Sequence, residues 1–591
     1  MDILKRFGED AEYAALAGAV QKGSLPVLVN GLCEAARCAF CCALASDAGR
    51  PAVVVVPDEK EAYRLYNGVA AYTDRAAVFP ARDFVFDAVS ARSRDFEQAR
   101  LGVLTRILSG TCDLVITVPD ALMQYTMPRS VLESGTVRLA RGERVDVAAL
   151  TARLAAMGYT RCELVEGAGQ FSLRGGILDV FSPGSAYPCR VDFFGDEIDL
   201  LGYFDTVSQR RYENTTEYLC IPADEVLFSA SALEKTAQAA AGLSSRFQGD
   251  AKVLESLHTE CAQAADGIPP AAQDKYFSLV YDEKATLLSY LDDCVVLLFE
   301  TSRIAERIRA FSWQTHETLE LLVEQGRTTY ALAGVMQESD ALLAALAGRS
   351  VAADMFMQAG GMFSYRAQFT VQANPTSPLT ENTALFLDDA KDYLAAGRRV
   401  MLCVSSPRAM TAMEEKLRGA GVVAYPYDGT LRADAVALAV NDGSRSLNGF
   451  ELPRAGFVLM TDAEIGAGGK QKRVRAAKMK KSERISSYAD LSVGDLVVHA
   501  NHGIGRYVGL QTVTTEGVSR DYIKLQYAGS DCLYVPCNQL DLVSKYIGSG
   551  GESVAKLSKM GSSEWQRAKA KAKSSAQGVA KELIALYAAR Q

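Results

Sequence analysis

The chain has 591 residues, of which 49% are hydrophobic and 23% are charged, and its formal net charge is −8. This length predicts several domains, and this composition excludes a disordered or fibrous chain. The acidic balance excludes a protein that binds nucleic acid over its whole surface, so any DNA contact has to be local. The sequence has no apolar run of about eighteen residues and no apolar signal core, so we expect a cytoplasmic protein without membrane contact.

Residues 1–135 alternate short apolar runs with helical patterns, which predicts a parallel sheet covered by helices. The predicted strands are Pro26–Val29, Ala52–Val56, Ala76–Phe79 and Leu114–Val118. The predicted helices are Gly31–Ala45 and Glu59–Tyr72. A sheet of this kind can hold a nucleotide at the turn after its first strand, so that turn decides whether the segment can act as an ATPase.

The turn after the first predicted strand lacks the residues of a working P-loop. Such a loop reads G-x-x-x-x-G-K-[ST], and its backbone N–H groups and lysine hold the phosphates. Residues 30–37 read NGLCEAAR, with one glycine, no lysine and no hydroxyl, and Glu34 would repel phosphate. The later strand Val295–Phe299 ends at Glu300 without the paired Asp–Glu of a magnesium site. We predict a degenerate nucleotide site at Asn30, Gly31, Glu34 and Glu300, and no catalytic residues.

The thirteen cysteines do not predict a metal site. Cys33, Cys38, Cys41 and Cys42 form the one cluster, in an alanine-rich helical pattern, and one helix cannot wrap four thiolates around a tetrahedral ion. We expect these thiols to be small core residues in a reducing compartment.

The segments that follow predict an insertion and a second α/β unit. Residues 136–218 read as an inserted α+β domain, because a helix, Asp146–Met157, precedes hairpin-like strands broken by Gly–Gly and Pro–Gly pairs. Residues 219–340 return to helices, including Glu283–Leu291 and Thr301–Gly326, and complete the interrupted first domain. Residues 345–465 read as a second α/β domain of unknown role that opens with a strand over Phe363–Thr370.

The C-terminal part predicts a basic linker, a small barrel and a helix. Residues 466–487 are rich in Lys and Arg and poor in core residues; they could touch DNA phosphates or serve only as a solvated tether. Residues 488–548 contain four short strands separated by turn residues, which predicts a small antiparallel barrel of the SH3-like or Tudor-like kind. Residues 549–591 include a long amphipathic helical pattern.

Several of these segments resemble the bacterial transcription-repair coupling factor family. VGDLVVHANHGIGRYVGL and DYIKLQYAGSDCLYVPCNQLDLVSKY, within 488–548, resemble its RNA-polymerase-interacting domain. FPARDFVFDAVSARSRDFEQARLGVLTRIL, residues 79–108, resembles the start of its UvrB-homology module, which carries a degenerate ATP site. QFSLRGGILDV and CRVDFFGDEIDLLGYFD resemble the domain that docks UvrA, and residues 561–590 resemble the helix that leads to the DNA translocase.

The resemblance implies two binding sites. On the inserted domain, the family's UvrA contacts fall on Arg174, Arg190 and Phe194. On the barrel, Val513 takes the place of an apolar residue that meets the polymerase β subunit. The residues beside Val513 in that site are Gln511, Thr512 and Thr514. Read without the family, the two arginines could be solvated strand residues, and Phe194 and Val513 could belong to the core.

The resemblance also implies what the chain lacks. The family's ATP- and magnesium-dependent translocase, through which it mainly contacts double-stranded DNA, follows the last residue of this chain, so we expect an adaptor without a motor and without a cofactor. Two alternatives stay open at this stage: a UvrB-like DNA-dependent ATPase, and a CarD-like regulator that touches only polymerase.

Overall fold

The computed structural model describes residues 2–87, 94–247, 249–354, 362–376, 383–441, 447–462, 494–499, 503–515, 518–528, 532–536 and 543–545. The chain divides into two compact units, Met1–Lys472 and Arg473–Gln591, which are described separately. The basic linker predicted at 466–487 and the helix predicted at 549–591 lie outside the described residues.

The elements follow each other in a βα rhythm in the first unit. Its α-helices are α1 Asp2–Lys5, α2 Ala11–Gln21, α3 Arg37–Ala48, α4 Glu59–Val69, α5 Asp95–Leu108, α6 Pro119–Met123, α7 Arg129–Gly135, α8 Val147–Ala156, α9 Ala230–Arg246, α10 Ala251–Ala265, α11 Thr301–Glu324, α12 Ser339–Ala347, α13 Thr383–Ala395 and α14 Pro407–Gly419. Its strands are β1 Val27–Leu32, β2 Ala52–Val55, β3 Ala76–Phe79, β4 Leu114–Thr117, β5 Val137–Ala140, β6 Thr160–Arg161, β7 Gln170–Arg174, β8 Ile177–Phe181, β9 Cys189–Phe194, β10 Glu197–Phe204, β11 Arg211–Thr215, β12 Glu217–Cys220, β13 Val295–Phe299, β14 Ser350–Ala353, β15 Ala367–Pro375, β16 Arg399–Val404, β17 Ala424–Pro426, β18 Val436–Val440, β19 Phe450–Leu452 and β20 Phe457–Thr461.

One large sheet organises the first unit. Its strand order is β17-β18-β16-β20-β19-β15-β1-β14-β13-β2-β4-β3. The pairings are parallel except those of β19, which is antiparallel to both β15 and β20. Strands β2 and β13 are buried over their whole length because helices cover both faces, as their continuous Val and Leu runs predict. The predicted multidomain α/β class is confirmed in this coarse form, but the sheet is mixed and not purely parallel.

The sheet runs across the boundary that the sequence suggested between 340 and 345. Strand β1 pairs with β14 on one side, with Val27 opposite Val351, and with β15 on the other, with Val27 opposite Ala367. Residues from the two predicted α/β segments therefore share one sheet.

Three local predictions differ from the structure. The helix predicted from Gly31 begins at Arg37, because β1 continues to Leu32 and Glu34–Ala36 forms a 3-10 turn. The helix predicted over Glu283–Leu291 is wrong: that stretch holds a 3-10 turn over Leu287–Tyr290, closed by a capping box between Thr286 and Ser289. The strand predicted over Phe363–Thr370 lies at Ala367–Pro375.

The inserted domain is a six-stranded sheet with the order β11-β10-β9-β8-β7-β6, and the two-stranded pair β5–β12 forms its stem. One face packs into a hydrophobic core with Leu150 and Leu154 of α8, which begins at the N-cap Asp146. The domain sits close against α5: a Cβ on Gly102 would come 3.0 Å from the Cα of Gly184. The other face of the sheet carries the charged residues described below.

The second unit contains an antiparallel sheet of β21 Leu496–His499, β22 Gly503–Thr515, β23 Val518–Gln526, β24 Cys532–Pro536 and β25 Val543–Lys545. Its strand order is β24-β23-β22-β21-β25, with a long β22–β23 hairpin. Short antiparallel strands are confirmed here, while closure into an SH3-like barrel stays a prediction. Among the described helices of the chain, none combines the length and apolar character needed to cross a membrane.

Candidate protein-docking site

Two arginines of the inserted domain share one buried carboxylate. Arg174 at the end of β7 donates from Nη2 to Asp179 Oδ2 at 2.8 Å. Arg190 on β9 donates from Nε to Asp179 Oδ1 at 2.7 Å and from Nη2 to Oδ2 at 2.9 Å. Asp179 is fully buried, whereas the Arg174 side chain is 48% exposed. Because one negative charge faces two positive ones, the cluster keeps a net positive charge.

Arg190 is held more tightly than Arg174. Its Nη1 donates to the carbonyl of Gln209 at 3.0 Å, and its guanidinium lies 4.8 Å from the centre of the Phe204 ring. The hydrogen bonds to Asp179 raise the pKa of Arg190 above its ordinary value. Arg190 therefore works as a fixed cation, while Arg174 presents the more accessible fork.

Phe194 is an apolar residue of the same strand as Arg190, four positions further along the chain. It ends β9 opposite Glu197, before the Gly195–Asp196 turn, and 83% of it is exposed. An aromatic ring exposed to that extent on a strand is not stabilised by burial in the domain's own core. Aromatic residues and arginine are the types that most often anchor protein interfaces. The three predicted contact residues, Arg174, Arg190 and Phe194, therefore all lie on the inserted domain, and Phe194 is not a core residue.

The predicted degenerate nucleotide site is occupied by an ion network of the protein itself. Arg37 Nη1 lies 3.3 Å from Glu300 Oε1 and 3.4 Å from Glu61 Oε1, and its guanidinium sits over the Phe299 ring. Arg303 donates to Glu300 Oε2 at 2.6 Å. Burial would raise the pKa of Glu300, but hydrogen bonds from Arg303 and Arg37 outweigh it and lower that pKa. The carboxylate is thus neutralised by protein cations and not placed to hold a metal ion.

The other residues of this site have structural surroundings. Gly31 has φ +83, and a Cβ there would lie 3.1 Å from the Val371 carbonyl, at the irregular step in the β1–β15 pairing. The close approach of the two strands, and not a bound phosphate, therefore explains why residue 31 is a glycine. Glu34 forms an exposed ion pair with Arg64, and Asn30 Oδ1 is buried without a hydrogen bond from the described residues. These residues do not fit a nucleotide–magnesium complex, because a lysine and a hydroxyl are missing and carboxylates face the turn.

The predicted polymerase-binding residues lie together on one strand. Gln511, Thr512, Val513 and Thr514 are consecutive in β22. Val513 pairs with Arg520 of β23 in the antiparallel hairpin. The structure thus places all four in regular β-structure near the end of a long hairpin, and their role in binding stays a prediction.

Sequence reasoning missed Asp179, the residue that orients both arginines. An isolated aspartate in ILDVF reads as solvent-facing, and only the pairing of β8 with β7 and β9 brings it between Arg174 and Arg190. Among the described residues, no group of three or more His, Cys, Asp or Glu side chains could hold a metal ion.

Two family models match the chain in the regions just described. The model described as the UvrB interaction domain matches residues 137–226, and the model described as the CarD-like/TRCF RID domain matches residues 491–547. The fold and these two matches indicate a multidomain α/β chain that carries a UvrB-interaction-like domain and a CarD-like/TRCF RID domain.

The relatives of the chain are transcription-repair-coupling factors. It is 29% identical to that of Bacillus subtilis (strain 168) over 100% of its own length and 51% of the relative's. It is 27% identical to that of Staphylococcus haemolyticus and 26% to that of Staphylococcus aureus (strain USA300), each over 96% of the chain and 49% of the relative. The resemblance to this family is confirmed: the chain corresponds to the N-terminal part of these DNA-repair factors and spans about half the length of the curated relatives it matches.

Proposed function

We propose that this chain is an adaptor that couples a stalled RNA polymerase to nucleotide excision repair. In this proposal UvrA docks on the inserted domain through Arg174, Arg190 and Phe194. The polymerase β subunit docks on the β22–β23 hairpin through residues 511–514. The observation that carries the proposal is the exposed Phe194 beside an arginine pair with a net positive charge, in a domain that matches a UvrB interaction domain.

We infer further that this part of the protein is a scaffold without a nucleotide-driven step of its own. The support is the Arg37–Glu300 contact and the close β1–β15 approach at Gly31, which leave the P-loop position filled by protein groups. ATP and magnesium would serve the translocase of the whole protein, and double-stranded DNA would be contacted mainly through that translocase.

The two docking sites should fail independently. Val513→Arg places a charge where an apolar contact is expected and should abolish capture of polymerase, while UvrA binding stays as in the parent. The double variant Arg174→Ala, Arg190→Ala should do the reverse and weaken UvrA binding by up to about 1,000-fold, since an interface arginine contributes about 2 kcal/mol, or about 30-fold, and there are two of them. Surface capture of each purified partner measures both effects.

A matched control is Val423→Arg, which changes a valine that is exposed in the first unit and lies in neither proposed site. It should leave both captures unchanged. Equal polymerase capture by Val513→Arg and the parent would remove Val513 from the site, and unchanged UvrA affinity in the double arginine variant would remove the arginine pair.

The scaffold proposal makes a separate prediction about nucleotides. A titration with fluorescent ATP and magnesium should give no saturable binding below about millimolar concentration, because the phosphate-binding lysine and the hydroxyl are missing. Micromolar affinity accompanied by hydrolysis would overturn the scaffold reading in favour of a UvrB-like ATPase. Loss of UvrA binding by the unaltered chain would instead favour a CarD-like regulator.

A further inference from the structure

The six-stranded sheet of the inserted domain has one face directed away from its hydrophobic core, and this face continues past Phe194 toward residue 144. Directly opposed residues of paired strands project to the same face. Arg174 is opposite Ile177, and Ile177 is opposite Asp192, two residues before Phe194. These pairings place Arg174, Ile177 and Phe194 on one face, at the edge formed by the two hairpin turns.

A further segment joins this face on the side of β10. Phe194 is opposite Glu197, and Glu197 forms an antiparallel bridge with Arg144. The main chain around Arg144 is anchored, because Val145 N donates to the Asp196 carbonyl at 2.7 Å and Ile198 N donates to the Glu143 carbonyl at 2.9 Å. Arg144 is therefore a fixed neighbour of the Phe194 turn.

The side chain of Arg144 is exposed and, within the described structure, makes no ion pair or side-chain hydrogen bond. Glu197, which faces it across the bridge, is also exposed and forms no ion pair within the described residues. The other exposed arginine of the face, Arg174, already shares Asp179 with Arg190. Arg144 is thus an exposed guanidinium of this face whose five N–H donors are all available to a partner in the described structure.

The surface beside Arg144 has room for a partner side chain. An open groove of about 450 Å³ lies between Arg144–Ala148 and the Gly195–Asp196 turn, directly after Phe194. Asp146, which lines the groove, already has partners, because it caps α8 by accepting from the N–H groups of Ala148 and Ala149 at 2.9 and 3.1 Å. Asp196, which also lines the groove, is exposed, so a partner carboxylate is favoured only close to Arg144.

We propose that the UvrA-docking face extends to Arg144, which binds a carboxylate of UvrA beside the pocket that receives Phe194. This face of the sheet then carries a cation at Arg174, an apolar centre at Ile177 and Phe194, and a second cation at Arg144. An ordered pattern of this kind fixes the register and orientation of a partner, because a shifted partner would place its charges against like charges. This inference rests on the proposed function of the same domain.

The test compares the UvrA-binding kinetics of five chains: the parent, Arg144→Glu, Arg144→Ala, Phe194→Ala and Arg161→Glu. Arg161 is also an exposed arginine and lies on β6, the opposite edge of the same sheet, so it is a charge-matched control. Arg144→Glu should weaken binding about tenfold or more, mainly by faster dissociation as expected for a direct contact. Arg161→Glu should bind like the parent, and Arg144→Ala, which adds no repulsion, should lose about threefold to tenfold.

The outcomes separate the two claims. If Phe194→Ala weakens binding and Arg144→Glu does not, the extension to Arg144 is wrong and the docking site stands. If Arg161→Glu weakens binding as much as Arg144→Glu, the effect is one of overall charge and the extension is overturned. If neither Phe194→Ala nor Arg144→Glu changes binding, the docking proposal itself fails. Thermal unfolding of each variant ensures that the compared chains are folded.

Discussion

Replacing Asp179 with alanine should weaken UvrA binding more than removing either arginine alone, by at least about 100-fold. The buried carboxylate holds Arg174 and Arg190 in place with three hydrogen bonds between 2.7 and 2.9 Å. Without it, two like charges remain side by side. Arg174 then turns toward water, and Arg190 keeps only its hydrogen bond to the Gln209 carbonyl and its contact with the Phe204 ring. The proposed docking arrangement is then lost although none of its proposed contact residues has been changed. Kd for UvrA, from surface capture or fluorescence anisotropy, measures the effect.

The same substitution should also destabilise the inserted domain. Removing one partner of a buried ion pair costs about 3–5 kcal/mol, and we expect the lower end here because Arg174 is half exposed and can be rehydrated. Asp192→Ala is the matched control: it also removes a carboxylate from an arginine, Arg211, at 2.8 Å on the same face, but leaves Asp179 and both docking arginines in place. Equal UvrA affinity of Asp179→Ala and Asp192→Ala would show that Asp179 does not orient the site.

The sequence could predict the residue types of the docking site but not their arrangement. RGGILDV and CRVDFFGD contain two arginines and adjacent phenylalanines, and alternation predicts that one of Phe193 and Phe194 faces outward. The high exposure of Phe194 follows from its place at the end of β9, next to the Gly195 turn. The burial of Asp179 depends on arginines five and eleven residues away, which only strand pairing brings together.

The large sheet shows a similar limit. The short apolar strands were readable because buried parallel strands are continuous Val and Leu runs. The pairing of these strands could not be predicted, because β1 pairs with residues more than 300 positions later in the chain. One of its partners, β14, is only the four residues SVAA, which is too short a pattern to recognise as a strand. Gly31 is an instructive case: the sequence presents it as the remnant of a phosphate loop, whereas the strand contact at Val371 explains it physically.

The second large effect, a loss of stability, is expected from substitution of Glu225, where the chain returns from the inserted domain to the large sheet. Glu225 is fully buried and receives hydrogen bonds from Arg100 Nε at 2.8 Å and Nη2 at 2.8 Å, and from Thr126. Arg100 on α5 is also fully buried and lies over the Phe79 ring at 4.2 Å. Glu225→Ala leaves this guanidinium unpaired in the interior and should lower the free energy of unfolding by about 3–5 kcal/mol.

Replacing both Arg100 and Glu225 by apolar residues separates the effect of an unpaired buried charge from the effect of lost packing. Two apolar side chains of similar volume need no hydrogen-bond partners, so Arg100→Met combined with Glu225→Leu should recover part of the stability lost in Glu225→Ala. The recovery is incomplete because the Thr126 hydroxyl and the Pro80 carbonyl lose their partners. The chain has several domains, so the readout is amide hydrogen exchange in α5 and in the β5–β12 stem rather than a single unfolding midpoint. Faster exchange confined to α5 and the stem in Glu225→Ala, reversed in the double variant, is the expected result. Unchanged exchange in Glu225→Ala would mean that the ion pair does not hold the inserted domain to the sheet, and the fixed placement of the docking face would then have to come from the Gly102–Gly184 contact.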